Sequence, residues 1–121
     1  MSKTILIVED HEDNRRIMRD LLASSGLTVI EALNGIDGVQ AAAKHRPDLI
    51  LMDVQLPGID GYEATRRIKA MPALRETPII IVTSYALSGD DKKAYAAGCD
   101  DYVAKPFSPR RLLEKIRGYL S

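Results

Sequence analysis

Apolar residues along this chain follow two rhythms, and the alternation between them predicts the fold. Short continuous runs stand at 4–8, 28–32, 48–53, 78–84 and 101–105. Runs of that length predict strands, and the wholly apolar stretches 5–8 and 49–52, bounded by charged or turn-forming residues, predict strands buried on both faces. Between the runs, apolar positions recur at three- and four-residue spacing, the mark of amphipathic helices. Ile17, Met18, Leu21 and Leu22 outline the first, behind polar Asp13 and Asn14, with Gly26 as its stop. A second helix is predicted over 36–45, ahead of Pro47. A third covers 62–70, with Ala64, Ile68 and Met71 inward, Arg66, Arg67 and Lys69 outward, and Pro72 as its stop. Ser88-Gly89-Asp90-Asp91 opens a short fourth helix ending near Gly98. Ser108 caps a fifth, with Pro109 at its first position and Leu112, Leu113, Ile116 and Leu120 along one side.

Strands separated by single helices need parallel, right-handed crossovers, which place helices on both faces of the sheet. The expected fold is an α/β, doubly wound, five-stranded parallel sheet of flavodoxin-like order 2-1-3-4-5. Ligands of such sheets bind beyond the carboxyl ends of the strands, at the switch point between strands 1 and 3. Glu9 and Asp10 close the first run there, and Asp53 closes the third. Three like charges at one edge repel, so at least one carboxyl pKa should rise. A hard divalent cation with oxygen ligands would relieve them.

Composition narrows the function more than the fold. The 121 residues suit one domain over 1–121, and 45% hydrophobic with 28% charged residues is ordinary globular usage. Lys+Arg and Asp+Glu balance at 17 each, so neither direct DNA binding nor membrane attachment is expected. With its first twenty residues acid-rich, no secretory signal peptide is expected there, and no apolar stretch approaches the roughly 20 residues that span a bilayer. Cys99 is the single cysteine, which precludes an intrachain disulfide and fits a reducing cytoplasm; it reads as a small core residue.

Chemistry follows from the strand ends. A flavin phosphate site needs hydroxyls and glycine amides in the first strand-to-helix loop, but Glu9-Asp10-His11-Glu12-Asp13-Asn14 carries four acids and no glycine. Neither a Walker-type nor a G-x-G-x-x-G nucleotide motif is present. Thr83 and Ser84 end the fourth run, and Lys105 ends the fifth. A carboxylate nucleophile beside Mg²⁺, a hydroxyl donor and a lysine are the parts needed to accept a phosphoryl group.

Four segments carry a family resemblance: Ile5-Leu6-Ile7-Val8-Glu9-Asp10, the stretch Asp48-Leu49-Ile50-Leu51-Met52-Asp53-Val54-Gln55-Leu56-Pro57-Gly58-Ile59-Asp60-Gly61, then Val82-Thr83-Ser84, and Tyr102-Val103-Ala104-Lys105-Pro106-Phe107. Together they resemble the response-regulator receiver (CheY-like) domains of two-component signalling over essentially the whole chain. Among stand-alone receivers of the DivK and CheY kinds, the 50–57 run resembles the DivK kind more. The resemblance implies that Asp53 is the phosphoacceptor, taking phosphate from a phosphohistidine on a histidine kinase or histidine phosphotransferase. It implies Mg²⁺, or Mn²⁺ in its place, held by Asp10, Asp53 and the Gln55 backbone carbonyl, with Glu9 acting through water. Thr83 and Lys105 would contact phosphoryl oxygens, and Thr83 and Tyr102 would form the switch. A cis Lys105–Pro106 bond is implied as well. The signal would leave through strand 4, helix 4, strand 5 and helix 5, over about 86–119, to a downstream protein target. The protein would be a monomer or weak dimer.

Other readings stay open. A receiver cut from a hybrid kinase or multidomain regulator would look the same, and the end of the chain after the fifth helix is what suggests a stand-alone receiver. A Mg²⁺-dependent aspartyl-phosphate phosphohydrolase is the enzymatic alternative, although haloacid-dehalogenase-type phosphatases place an acid/base Asp where Gln55 stands. With the receiver reading, no more than slow autodephosphorylation is expected, and Tyr85 flanks the route of an attacking water. His11 and His45 are expected at the surface, outside a hard-cation site. Asn14 and Asn34-Gly35 read as helix-start and turn residues. The basic pairs Arg15-Arg16, Arg66-Arg67, Lys92-Lys93 and Arg110-Arg111 read as solvated helix faces; Arg15, Arg16 and Arg19 flank the acids where a phosphodonor helix would dock.

Overall fold

Period-two alternation inside the apolar runs sorts the strand side chains into two cores. In the computed structural model, which describes residues 3–83 and 90–121, the strands are β1 (Thr4–Val8), β2 (Thr28–Ala32), β3 (Leu49–Met52), β4 (Ile79–Thr83) and β5 (Asp101–Ala104). All pair in parallel, in the order β2-β1-β3-β4-β5. Within the described residues the helices are α1 (Glu12–Ser24), α2 (Gly35–His45), α3 (Gly61–Lys69), α4 (Asp90–Ala96) and α5 (Pro109–Leu120). Ile5, Ile7, Leu49, Leu51, Ile80 and Val82 pack against Met18 and Leu22 of α1 and Leu112 and Ile116 of α5. Leu6, Val8, Ile50, Met52, Ile79 and Ile81 face the other way, onto Ala42 of α2, Ala64 and Ile68 of α3, Ala94 of α4 and Cys99. This is the doubly wound sandwich that the pattern predicts.

Several boundaries move for identifiable reasons. Asp48 and Asp53 flank β3 rather than belong to it, yet their amides still bond to β1, Asp48 N to Thr4 O at 2.8 Å and Asp53 N to Val8 O at 3.0 Å. Pro78 has no amide to give and precedes β4. Lys105 lies just past β5, its amide donating to Thr83 O at 2.7 Å. A short 3₁₀ turn, Pro72–Leu74, follows α3 and buries Leu74, an element the apolar pattern does not mark. The predicted strand end at Ser84, the opening of the fourth helix at Ser88-Gly89 and the Tyr85 reading lie outside the described residues.

Caps and glycines set the entries of the helices. The Asn34 side chain accepts from Asp37 N and that of Asp60 from Glu63 N, each at 2.8 Å, while Ser108 caps α5 as predicted. Asn14 lies within α1, whose N-cap is His11. At Gly61 a Cβ would stand 2.8 Å from the Asp53 carbonyl carbon and clash with its oxygen, and at Gly35 it would stand 2.5 Å from Ile59 O. The loop after β3 is thereby pressed between the starts of α2 and α3.

Two side chains depart from their expected faces. Ile17 is 51% exposed, because Met18 and Leu22 occupy the inward stripe of α1. Lys69 folds inward, its ammonium donating to Thr77 O at 2.6 Å, Asp100 Oδ2 at 2.9 Å and Arg75 O at 3.2 Å. The Cys99 thiol is buried as predicted, and burial, with the charges of Asp100 and Asp101, pushes its pKa up to about 11.

Candidate functional site

β1 and β3 are neighbours, so the residues that leave their carboxyl ends must share one edge. Glu9 follows β1 and is fully buried, its amide held by Ala32 O at 3.1 Å. Asp53 follows β3 and is also buried, its Oδ1 accepting from Val54 N at 2.8 Å. Lys105 arrives from the far side of the sheet, after β5. Its ammonium donates to Glu9 Oε1 at 2.6 Å and lies 3.7 Å from Asp53 Oδ1. The Lys105–Pro106 bond is cis.

The charges do not balance locally. Burial would raise the Glu9 pKa, but the hydrogen bond and the charge of Lys105 outweigh it and hold that carboxyl below its usual range. Asp53 goes the other way: burial and then the negative charge of Glu9 push it up to about 7, against the pull of Lys105. Asp10, on the outer side, has Oδ1 buried with no hydrogen-bond partner. A buried carboxylate oxygen left unmatched beside two further carboxylates is the setting a hard cation fits. Ligand atoms from Glu9, Asp10, His11 and Asp53 all lie within 4.8 Å of one another.

Of the residues singled out in the sequence, Glu9, Asp10, Asp53 and Lys105 come together directly. Thr83 is fully buried at the end of β4, joined to Lys105 through its carbonyl. Gln55 is exposed on the loop two residues past Asp53. Tyr102 is half-buried in β5, opposite Ile81, and packs against the α2, α3 and α4 core. Two residues in the surroundings make further contacts with this edge. His11 is 66% exposed, as predicted for the surface, yet its Nδ1 lies 3.2 Å from Asp10 Oδ1. Arg15 is no solvated base: it donates to Glu31 Oε1 at 3.0 Å and to the Glu9 carbonyl at 3.1 Å, tying the end of β1 to β2. Only the strand order, which puts Glu31 beside Ile7, could have foretold that contact.

The chain and its fold match a known family. The family model described as "Response regulator receiver domain" matches residues 5–117. The chain belongs to the response regulator receiver family. It is 44% identical over 120 residues to the polar-differentiation response regulator DivK of Brucella anthropi, covering 99% of this chain and 98% of that one. Among solved structures it is similar to the receiver domain of the sensor histidine kinase PA1611 of Pseudomonas aeruginosa, which has a magnesium ion coordinated in its active-site cleft: TM-score 0.93, 40% identity, 99% of this chain and 98% of that one. A response regulator of Chloroflexus aurantiacus superposes with TM-score 0.95 at 32% identity, with the same coverage. Receivers are signalling components of two-component systems rather than enzymes in the ordinary sense, and phosphorylation and Mg²⁺ are typical of them. Among the described residues, no helix is long and apolar enough to cross a membrane.

Proposed function

We propose that this receiver accepts a phosphoryl group on Asp53 from a phosphohistidine of a histidine kinase or histidine phosphotransferase. The observation that carries this reading is the position of Asp53, buried between an ammonium on one side and two carboxylates on the other. An Asp53 carboxylate oxygen would attack phosphorus as the bond to the imidazole nitrogen breaks, leaving an aspartyl phosphate and a neutral donor histidine. Lys105 would pair with one phosphoryl oxygen and Thr83 would donate to another, so charge in transfer meets fixed partners. Asp10, Asp53 and the Gln55 carbonyl, with Glu9 through water, would hold Mg²⁺. Bound there, the ion would supply positive charge to the transferring oxygens. Gln55, an amide in place of an acid/base carboxylate, speaks against rapid hydrolysis.

Beside this edge, Asn14, Ile17, Lys105, Pro106, Phe107 and Pro109 line a groove of about 480 Å³, and exposed Ile17 gives a donor helix an apolar foothold. The phosphoryl group adds roughly −1.5 to −2 charges. Thr83 and Tyr102 would carry that change to the surface of β4, α4, β5 and α5, which a downstream protein reads; residues 86–89 of that surface lie outside the described residues. The matched span, 98% of DivK, supports a single receiver domain over 1–121. In this reading it acts through protein contacts in the cytoplasm, as a monomer or weak dimer, without binding DNA.

Incubation with Mg²⁺ and either acetyl phosphate or a phosphorylated kinase tests this by intact-protein mass. One added phosphoryl group is expected in the wild type and none in Asp53→Asn. No gain with either donor would reject the reading, and rapid multiple turnover of a phosphomonoester would favour a phosphohydrolase.

A further inference from the structure

The acidic edge contains a nitrogen donor. His11 follows Asp10 directly and serves as the N-cap position of α1, but its side chain makes no capping hydrogen bond. Instead Nδ1 points back over the acids, 3.2 Å from Asp10 Oδ1 and 3.6 Å from Glu9 Oε2. The approach to Asp10 lacks hydrogen-bond geometry, leaving the buried Asp10 Oδ1 without such a partner, and becomes an ion pair only when the imidazole is protonated. Two atoms able to ligate a cation thus converge on one point.

The spacing suits a shared ion. Two ligands at ~2.1 Å and at right angles on one ion stand ~3 Å apart, and opposite ligands ~4.2 Å apart. The Nδ1 to Oδ1 separation of 3.2 Å matches the first figure, and the 4.8 Å limit on the whole set lies within a small side-chain adjustment of the second. An imidazole changes what the site prefers. Carboxylate and carbonyl oxygens suit Mg²⁺, whereas adding imidazole favours first-row transition ions, in rising order from Mn²⁺ towards Ni²⁺.

We propose that His11, through Nδ1, is a further ligand of this site and gives it a preference for first-row transition ions over Mg²⁺. The proposal rests on the reading that Asp10 and its neighbours hold a divalent cation. The backbone already supports it: His11 N donates to Glu9 Oε2 at 3.2 Å, fixing the turn that presents both side chains.

Calorimetric titration with NiCl₂ and, separately, MgCl₂ tests it in proteins that carry His45→Ala, which removes the chain's other imidazole. The proteins compared are that background, the background with His11→Ala, and the background with Asp10→Asn. His11 is exposed enough for its removal to leave packing intact, which circular dichroism would verify. Removing His11 is expected to weaken Ni²⁺ by roughly tenfold or more and to leave Mg²⁺ within about twofold, whereas Asp10→Asn weakens both. Equal Ni²⁺ affinity with and without His11, together with a loss in Asp10→Asn, would overturn the proposal and leave the metal site standing. Titrations that Asp10→Asn does not alter would overturn the metal reading and this proposal with it.

Discussion

Two lysines of nearly equal exposure sit at opposite ends of the sheet, Lys105 at 14% and Lys69 at 15%. Lys69, at the amino ends of β4 and β5, gives its three protons to one carboxylate and two carbonyls, and Asp100 also takes the Ile79 amide at 2.8 Å. Every charge there has a counterpart, so the cluster works as a clamp between α3 and the sheet. Lys105, at the carboxyl ends, faces Glu9 and Asp53, with Asp10 beyond them. One ammonium cannot neutralise three carboxylates. The closed balance stabilises the fold, whereas the open one leaves room for an incoming cation and phosphoryl group.

Removing charge from the open end should have the largest effect. In EDTA at pH 8, Asp53→Asn is expected to raise stability by roughly 2 to 4 kcal/mol. The sign follows from the raised pKa: the folded state holds the Asp53 proton up to about pH 7, the unfolded chain only to about 3.8, so stability falls as pH rises between them and the full penalty stands above 7. The gain should therefore shrink towards zero near pH 4. Urea midpoints across that range check it, and a midpoint lowered by the substitution at pH 8 would erase the contrast between the two ends.

Breaking the closed end comes next. Lys69→Met should cost about 2 kcal/mol, because it strips Asp100 and two carbonyls of their donor. The loss should be the same with and without Mg²⁺; a cost that saturating Mg²⁺ abolished would mean that the two ends are coupled. The smallest effect tests an unmatched group that carries no charge. Thr65 Oγ1, on α3, is buried without a hydrogen-bond partner. Thr65→Val should raise stability by about 1 kcal/mol at every pH, and a pH-dependent change would break the distinction between neutral and charged mismatches.

Most of this contrast can be traced in the sequence at one end and little of it at the other. The carboxyl edge was legible because Glu9 and Asp53 directly follow buried apolar runs and Lys105 follows the half-buried edge strand β5, so the strand order alone gathers the three. The Lys69 clamp was not legible. Helical spacing places Lys69 on the outward face with Arg66 and Arg67, while the 3₁₀ turn at Pro72–Leu74 leads the chain to Thr77 and the entry to β5 brings Asp100 beside it, within reach of a long, flexible side chain. Arg15 escaped for the same reason, since its partner Glu31 comes from a strand 16 residues away. Ile17 reads as core in a linear pattern because an apolar residue can fit either edge of the inward stripe. Periodicity assigns faces well but says little about where long side chains end.

Gly61 gives the carboxyl edge one more property. The start of α3 lies so close to the strand before it that any side chain there would displace the carbonyl of Asp53 itself. Rotamers offer no escape, because the obstruction is backbone against Cβ. Asp53 can trade activity for stability, since its carboxylate burdens the fold while making the chemistry possible. At position 61 no such exchange exists. A larger residue there would damage the fold and displace the reactive group in a single step, so variation at this position is penalised twice.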